Sequence, residues 1–445
     1  MPSETIPVNR ESPFQLEELF FSTTDLKGRI LFGNQVFVRV SGYAADELIG
    51  RPHNIIRHPD MPRCIFRLLW DYLLKGRAIA AYVKNMAKDG SYYWVLAYVT
   101  PIPDGFLSIR LKPSGPLFEQ VRTIYEKLRV VEQQAVDAGR SGAESMDAAA
   151  TELQGILESL GFADYDQFMS EMLASEVLSR KTRLKRTDAP ETASSNIEDD
   201  HRYRRPECSR LTLHIRRLYA MLQSSLDLEQ SLNQSMQFAL SFGQTLRRIT
   251  LNGRICAMAL GSAAVGLSEV ARQINGVSNE VADEGEILSR TMSEVMGLLK
   301  SAAAEIASSD LSVEMMALFL EELRGQGTPD AGTQKNVDNL MSVIGVRLRA
   351  TCNCTENAAR DLAAFEKTLD HFINTIQTLD ILYVCGKIEC TRVHAVDFTE
   401  ILRETGEAAR DARQRADKLK SLVARVQARL LAESADQREG LRMVA

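Results

Sequence analysis

The sequence predicts a small α+β domain built on an antiparallel sheet, followed by an all-α region of long helices. Three observations predict it. Strand-like runs alternating with short amphipathic segments are confined to about residues 15–112. Beyond Pro116 apolar residues recur at three and four, the helical period. A length of 445 residues also exceeds what one ordinary core organises.

The strand-like runs are Leu19–Thr23, Ile30–Phe32, Ala80–Val83, Tyr92–Pro101 and Gly105–Leu111. Their β-branched and aromatic content is high, and Lys88-Asp89-Gly90 is a hairpin signal. Between them, Asn34–Val40, Ala45–Gly50 and Cys64–Lys75 have the mixed pattern of short helices. These elements define a first domain over residues 15–115. In the next stretch, 116–175, Phe118, Val121, Ile124, Tyr125, Leu128 and Val131 share a helical face and predict connecting helices. Residues 176–208 hold few apolar side chains and alternating charge blocks, the composition of a flexible charged linker. Within it, Arg180–Arg186 reads either as a solvated run or as a basic docking segment.

From 209 to 445 strand signals vanish. Leu232, Met236, Ala239, Phe242, Leu246 and Ile249 form one seam, and Leu419, Leu422, Val426 and Leu430 another. The Gly- and Pro-containing segment 324–335 marks a turn between long helices. An antiparallel helical bundle or coiled coil is expected.

Composition narrows the function. Hydrophobic residues make up 45% and charged residues 25%, the balance of a soluble globular protein. A net charge of −6 argues against nucleic acid as a partner. Seven cysteines form no framework, and no secretory leader is evident, so reduced thiols in a cytoplasmic, bacterial-type protein are expected. Cys352 and Cys354 lack a second ligand pair, which argues against zinc. No run reaches the roughly 18–20 apolar residues of a membrane span, so no transmembrane segment is expected. No GxGxxG motif is present, and His214 and His371 have no ATP-binding domain behind them. An enzyme is therefore not expected.

One dodecamer stands out. Residues 51–62 read RPHNIIRHPDMP, placing His53, Asn54, Arg57, His58 and Asp60 in one loop stiffened by Pro52, Pro59 and Pro62. A stiff, donor-rich loop suits an anionic or heteroaromatic ligand, because little entropy remains to be lost on binding. Arg57 can pair bidentately with phosphate, and Asn34 and Asn85 offer both a donor and an acceptor to a ring edge. Asp60 reads as orienting Arg57 or His58. The alternative is that His58-Pro59-Asp60 simply knits the helix-rich lid to the sheet, since loop side chains often serve their own turn.

Two helical segments also match each other. They are 253–274 and 386–405, with Gly253/Gly386, Arg254/Lys387 and Ile255/Ile388 in register. After a two-residue gap Val265/Val396, Ser268/Thr399, Glu269/Glu400 and Arg272/Arg403 follow.

In order along the chain come FSTTDLKGRI (21–30), Asn34, SGY (41–43), ELIGRPHNIIRHPDMP (47–62), Trp70, VKN (83–85) and KDGSYYWV (88–95). With these motifs the N-terminal region, about 15–130, resembles the PAS domain of bacterial aerotaxis receptors. The resemblance implies a five-stranded antiparallel sheet wrapped by short helices around a cofactor cavity. It implies FAD as the cofactor, with Asn34, His53, Arg57, His58, Asp60 and Asn85 at the flavin site and Trp70 and Trp94 lining or supporting it. The chain departs from the family at Ile79, where flavin-binding relatives often carry tryptophan. That departure leaves open haem b, with His53 or His58 as axial ligand, or no cofactor.

The C-terminal bundle resembles a degenerate signalling hairpin of methyl-accepting chemotaxis proteins, in RITLNGRICAMALG (248–261) and LDILYVCGKIECTRV (379–393). Cys256 stands where the family has its tip glutamate and Cys385 where it has an asparagine. Together the resemblances imply a soluble redox or oxygen sensor related to aerotaxis, with a homodimer and chemotaxis signalling proteins as expected partners. The competing expectation is a coiled-coil scaffold whose N-terminal domain only dimerises.

Overall fold

A computed structural model describes residues 6–187, 215, 229–259, 265–323 and 331–444. The chain divides into two units: Met1–Tyr219 with Lys300–Thr351 and Gln437–Ala445, and Ala220–Leu299 with Cys352–Asp436.

In the first unit five strands form one antiparallel sheet: β1 (Leu19–Thr24), β2 (Ile30–Gly33), β3 (Ile79–Met86), β4 (Tyr92–Ile102) and β5 (Gly105–Leu111), in the order β2-β1-β5-β4-β3. Between β2 and β3 lie the short helices α1 (Gln35–Ser41) and α2 (Ala45–Leu48), a 3-10 turn (His53–Ile56) and α3 (Arg63–Leu74). This is a PAS-type α+β fold followed by long helices. The register pairs Ala97 with Arg110 and Val99 with Ser108, so these four share one face. Tyr98 and Thr100 take the other, because side chains alternate along a strand.

The outer face of the sheet is met by α4 (Phe118–Asp137) and α6 (Tyr165–Thr187), while α5 (Gly142–Ser159) packs on α3 and α4. Tyr82 and Trp94 pack on Phe118 with ring centroids 5.2 and 5.4 Å apart. The buried Glu176 accepts from Tyr82 Oη at 2.5 Å and from the Ser114 amide at 2.7 Å. Helix α6 runs to Thr187, through residues 176–187 that composition assigns to a linker. Two of its basic residues are fastened: Arg180 pairs with Glu314 at 2.6 Å, and Lys181 pairs with Asp310. Residues 188–208 of the expected linker lie outside the described residues.

Lys300–Thr351 of the first unit comes from α8 (Val265–Glu322), α9 (Ala331–Val393) and the segment between them, and both helices contribute residues to both units. Phe319 packs edge-on against Phe21 at 4.8 Å, and Arg347 donates to Thr100 Oγ1 at 3.3 Å.

In the second unit α7 (Glu229–Ala259), parts of α8 and α9, and α10 (Val396–Val444) run antiparallel. As one helix's numbers rise its neighbour's fall: Thr250 meets Ser278 while Gly243 lies against Ala282, Glu284 meets His371 while Gly266 lies against Glu389, and Lys420 meets Asp370 while Arg413 meets Asp380. Helix α9 ends at Val393, and the next residue, His394, has a positive φ of 54° that reverses the chain before α10. Each repeat copy thus spans a junction, one between α7 and α8 and the other between α9 and α10. The aligned pairs Ile255/Ile388 and Val265/Val396 are all exposed. Among the described residues, no helix is long and apolar enough to cross a membrane.

Candidate functional site

Helix α3 is one wall of the site. Phe66, Leu69, Trp70 and Leu73 fall at i, i+3, i+4 and i+7, the spacing of a single helical face, and all four line one cavity. The helix starts after Pro62, which offers no side-chain cap. Instead the buried carboxylate of Glu132, from α4, accepts from the amides of Arg63 at 3.0 Å and Cys64 at 2.7 Å. An anion at a helix N-terminus satisfies free amides and opposes the helix dipole. Burial and this carboxylate push the Cys64 thiol up to about 12.

The cavity lies between α3, the 51–57 segment and the inner face of the sheet, with a volume of about 300 Å³. That is the lower end of the range of small-molecule sites. From β3 come Val83 and Asn85, from β4 Ala97 and Val99, and from β5 Phe106, Ser108 and Arg110. The β1–β2 turn brings Gly28, whose φ of +72° favours glycine, and a Cβ there would meet the Trp70 ring at 3.0 Å.

Three cations, Lys27, Arg57 and Arg110, line this cavity, and no carboxylate does. Arg57 lies over the Phe66 ring at 4.3 Å and donates to the Met61 carbonyl at 3.2 Å. Burial first, then the nearby Arg63, lowers its pKa. Arg110 is buried and donates to Ser22 Oγ at 3.0 Å. Its second nitrogen lies 2.7 Å from His53 Nε2. Because a guanidinium can only donate, that imidazole nitrogen accepts and His53 is neutral. Burial, reinforced by Arg110, holds the His53 pKa well below its ordinary value. Burial also lowers Arg110 to about 10. Two buried polar atoms on the cavity residues, Asn85 Nδ2 and Ser108 Oγ, have no hydrogen-bond partner within the protein.

Of the sequence-predicted residues, His53, Arg57, Trp70 and Asn85 meet at this cavity. The other four stand elsewhere. Asn34 caps α1, its Oδ1 accepting from Phe37 and Phe21 amides at 3.3 and 3.2 Å. The buried His58 accepts at Nδ1 from the Asp60 amide at 3.1 Å, closing its own turn. Burial and Lys84 lower it to about 4. Asp60 pairs with Lys84 at 2.7 Å and Arg129 at 3.0 Å, and Trp94 packs under α4. Ile79 is buried opposite Val99 at the start of β3. Arg110 and Ser108 escaped sequence reasoning. The available signal was the alternation of Phe106, Ser108 and Arg110 along one face of an otherwise apolar strand.

Residues 30–107 match the family described as PAS fold. Over 133 residues the chain is 38% identical to the aerotaxis receptor of Escherichia coli, covering 29% of this chain and 26% of that one. Over 96 residues it is 29% identical to the nitrogen fixation regulatory protein of Klebsiella pneumoniae, covering 22% and 18%. The chain thus matches only about a quarter or less of these relatives' length. Among solved structures, the PAS domain of a Colwellia psychrerythraea protein is similar at 24% identity, covering 21% of this chain and 85% of that one, with a TM-score of 0.20. The N-terminal region of this chain is a PAS domain, similar in sequence to that of the aerotaxis receptor.

Proposed function

We propose that the chain is a cytoplasmic signalling sensor whose PAS cavity holds a flat, acceptor-rich heteroaromatic ligand, with FAD as the cofactor. One observation carries this reading: the cavity is lined by three cations and no carboxylate, while Asn85 Nδ2 and Ser108 Oγ lack protein partners. Buried polar atoms and a buried unpaired cation are costly, and a ligand with ring nitrogens, carbonyls and phosphate offsets both. FAD, when bound, supplies redox chemistry in a ring whose edge carries hydrogen-bonding atoms. Asn85 and Ser108 serve that edge, Trp70 and Phe66 present apolar faces, and Arg57 and Lys27 attract the anionic phosphates. Haem finds less support, because His53 Nε2 is engaged by Arg110 and His58 does not line the cavity.

A change in hydrogen bonding at Asn85, Ser108 and Arg110 acts on strands whose alternate residues, Tyr82, Tyr98 and Thr100, face the covering helices. That is a ligand site joined to a packed element that can take two arrangements. The repeated, exposed apolar positions Ile255/Ile388 and Val265/Val396 support chemotaxis-type signalling proteins as output partners. Homodimerisation belongs to the same proposal; catalysis does not.

The test is the absorption spectrum of the purified chain, before and after incubation with FAD. A bound flavin spectrum at one equivalent is expected. A featureless spectrum with no uptake of FAD overturns the cofactor reading. If substitutions at Arg57 and Asn85 also leave signalling intact while assembly-surface changes abolish it, the scaffold reading replaces the sensor.

A further inference from the structure

A second cavity, of about 450 Å³, opens on the opposite side of β4 within the same unit. Tyr98 from β4, Ser170 from α6, Glu305 and Ser308 from α8, and Arg347 from α9 line it. It lies back to back with the inner cavity, since Ala97 and Val99, on either side of Tyr98, line that one.

Its polar groups are incompletely matched. Tyr98 is 4% exposed, and its hydroxyl, beside Ser308 and Thr100, makes no well-formed hydrogen bond. Arg347 Nε is buried and also without one. The Arg347–Glu305 pair is loose: Nη1 lies 3.3 Å from both carboxylate oxygens, beyond the roughly 2.7–2.9 Å of a well-made charged pair. Arg77 and Asp166, at another edge of the cavity, are well matched at 2.6 Å, with Tyr72 Oη donating to the same carboxylate oxygen at 2.9 Å.

We propose that this outer cavity is a second binding site, for a small zwitterion of the α-amino acid class. The carboxylate is received by Arg347 Nε and Tyr98 Oη, and the ammonium by Glu305. A simple carboxylate would face Glu305, and a simple amine would face Arg347. A molecule carrying both charges one carbon apart satisfies the loosely paired groups together. This site does not depend on what occupies the inner cavity.

The experiment is calorimetric titration of the full chain with each of the twenty L-amino acids, and with propionate and ethylammonium as single-charge controls. At least one amino acid is expected to bind at least tenfold tighter than either control. Tyr98→Phe keeps the ring and removes only a hydroxyl that makes no well-formed hydrogen bond, so the fold is retained. It should weaken that binding about tenfold, the worth of one hydrogen bond to a charged group. Ser170→Trp, which fills the cavity from α6, should abolish it. If no amino acid binds, or if binding survives both substitutions unchanged, the site is refuted.

Discussion

Arg110 donates to His53 at 2.7 Å inside the sheet, a buried guanidinium resting on a neutral imidazole rather than a carboxylate. No ion pair involving Arg110 occurs among the described residues. A buried charge without a counter-ion is kept at a cost to stability, and the cost has a purpose if the ligand supplies the acceptors. Arg110→Met therefore separates the two roles. The ligand-free variant should be as stable as the parent or more so, by about 1–3 kcal/mol, while affinity for FAD falls at least tenfold. Denaturant melts and FAD titration check both; a clear loss of stability with intact binding contradicts the assignment.

The two histidines of the 51–62 loop predict the response to acid. Above about pH 6.5, folded and unfolded chains both keep these rings neutral, and they contribute no pH dependence. Below it the unfolded chain takes up protons that folded His58 refuses until about pH 4, and buried His53 resists similarly. The unfolded state then binds more protons, so stability falls as pH drops from 6.5 toward 4. For His58 the ceiling is about 3 kcal/mol. Denaturation midpoints at pH 7, 5.5 and 4.5 should show the fall, and His58→Gln should flatten it.

Glu132 is the cap that positions α3, and hence Trp70 and Phe66. Glu132→Ala frees the amides of Arg63 and Cys64 and should destabilise the domain by about 1–2 kcal/mol. Hydrogen exchange should rise first at Arg63 and Cys64, and ligand affinity should weaken although Glu132 does not line the cavity. Protection unchanged at those amides would contradict the capping role.

Arg180 fastens three segments. It is 2% exposed, pairs with Glu314 at 2.6 Å, and donates to the carbonyls of Leu16 and Glu17, each at 2.9 Å. Arg180→Met strands a carboxylate and two carbonyls and should cost about 3–5 kcal/mol. Adding Glu314→Met should recover a large part, since the charge left unpaired is then gone. A double variant as unstable as the single one would assign the loss to packing instead.

The strands and short helices of the PAS domain were legible because their periods are local; β3 alone extends well past its apolar run, to Met86, through Lys84 and Asn85. The cavity was half legible. The dodecamer drew attention to His53 and Arg57, but a 3-10 turn followed by extended backbone turns His58 and Asp60 to the other side. Trp94 fell to the outer face by the alternation that places Tyr93 and Val95 inside. Arg110 looked like an ordinary strand charge, because only the sheet order brings β5 beneath the 51–57 loop. Residues 176–187 resemble a linker in composition, and only the distant partners Glu314 and Asp310, which pair with Arg180 and Lys181, show why this stretch is helix.

We propose that the cationic, carboxylate-free cavity on the inner face of the sheet holds a flavin through Asn85 and Arg110. The most direct test is a fluorescence-quenching titration of the apoprotein with FAD, run in parallel on the parent, Asn85→Leu and Arg110→Met. One equivalent bound by the parent and at least a tenfold loss of affinity in each variant are expected. Equal binding by all three, or no binding by the parent, would contradict the proposal.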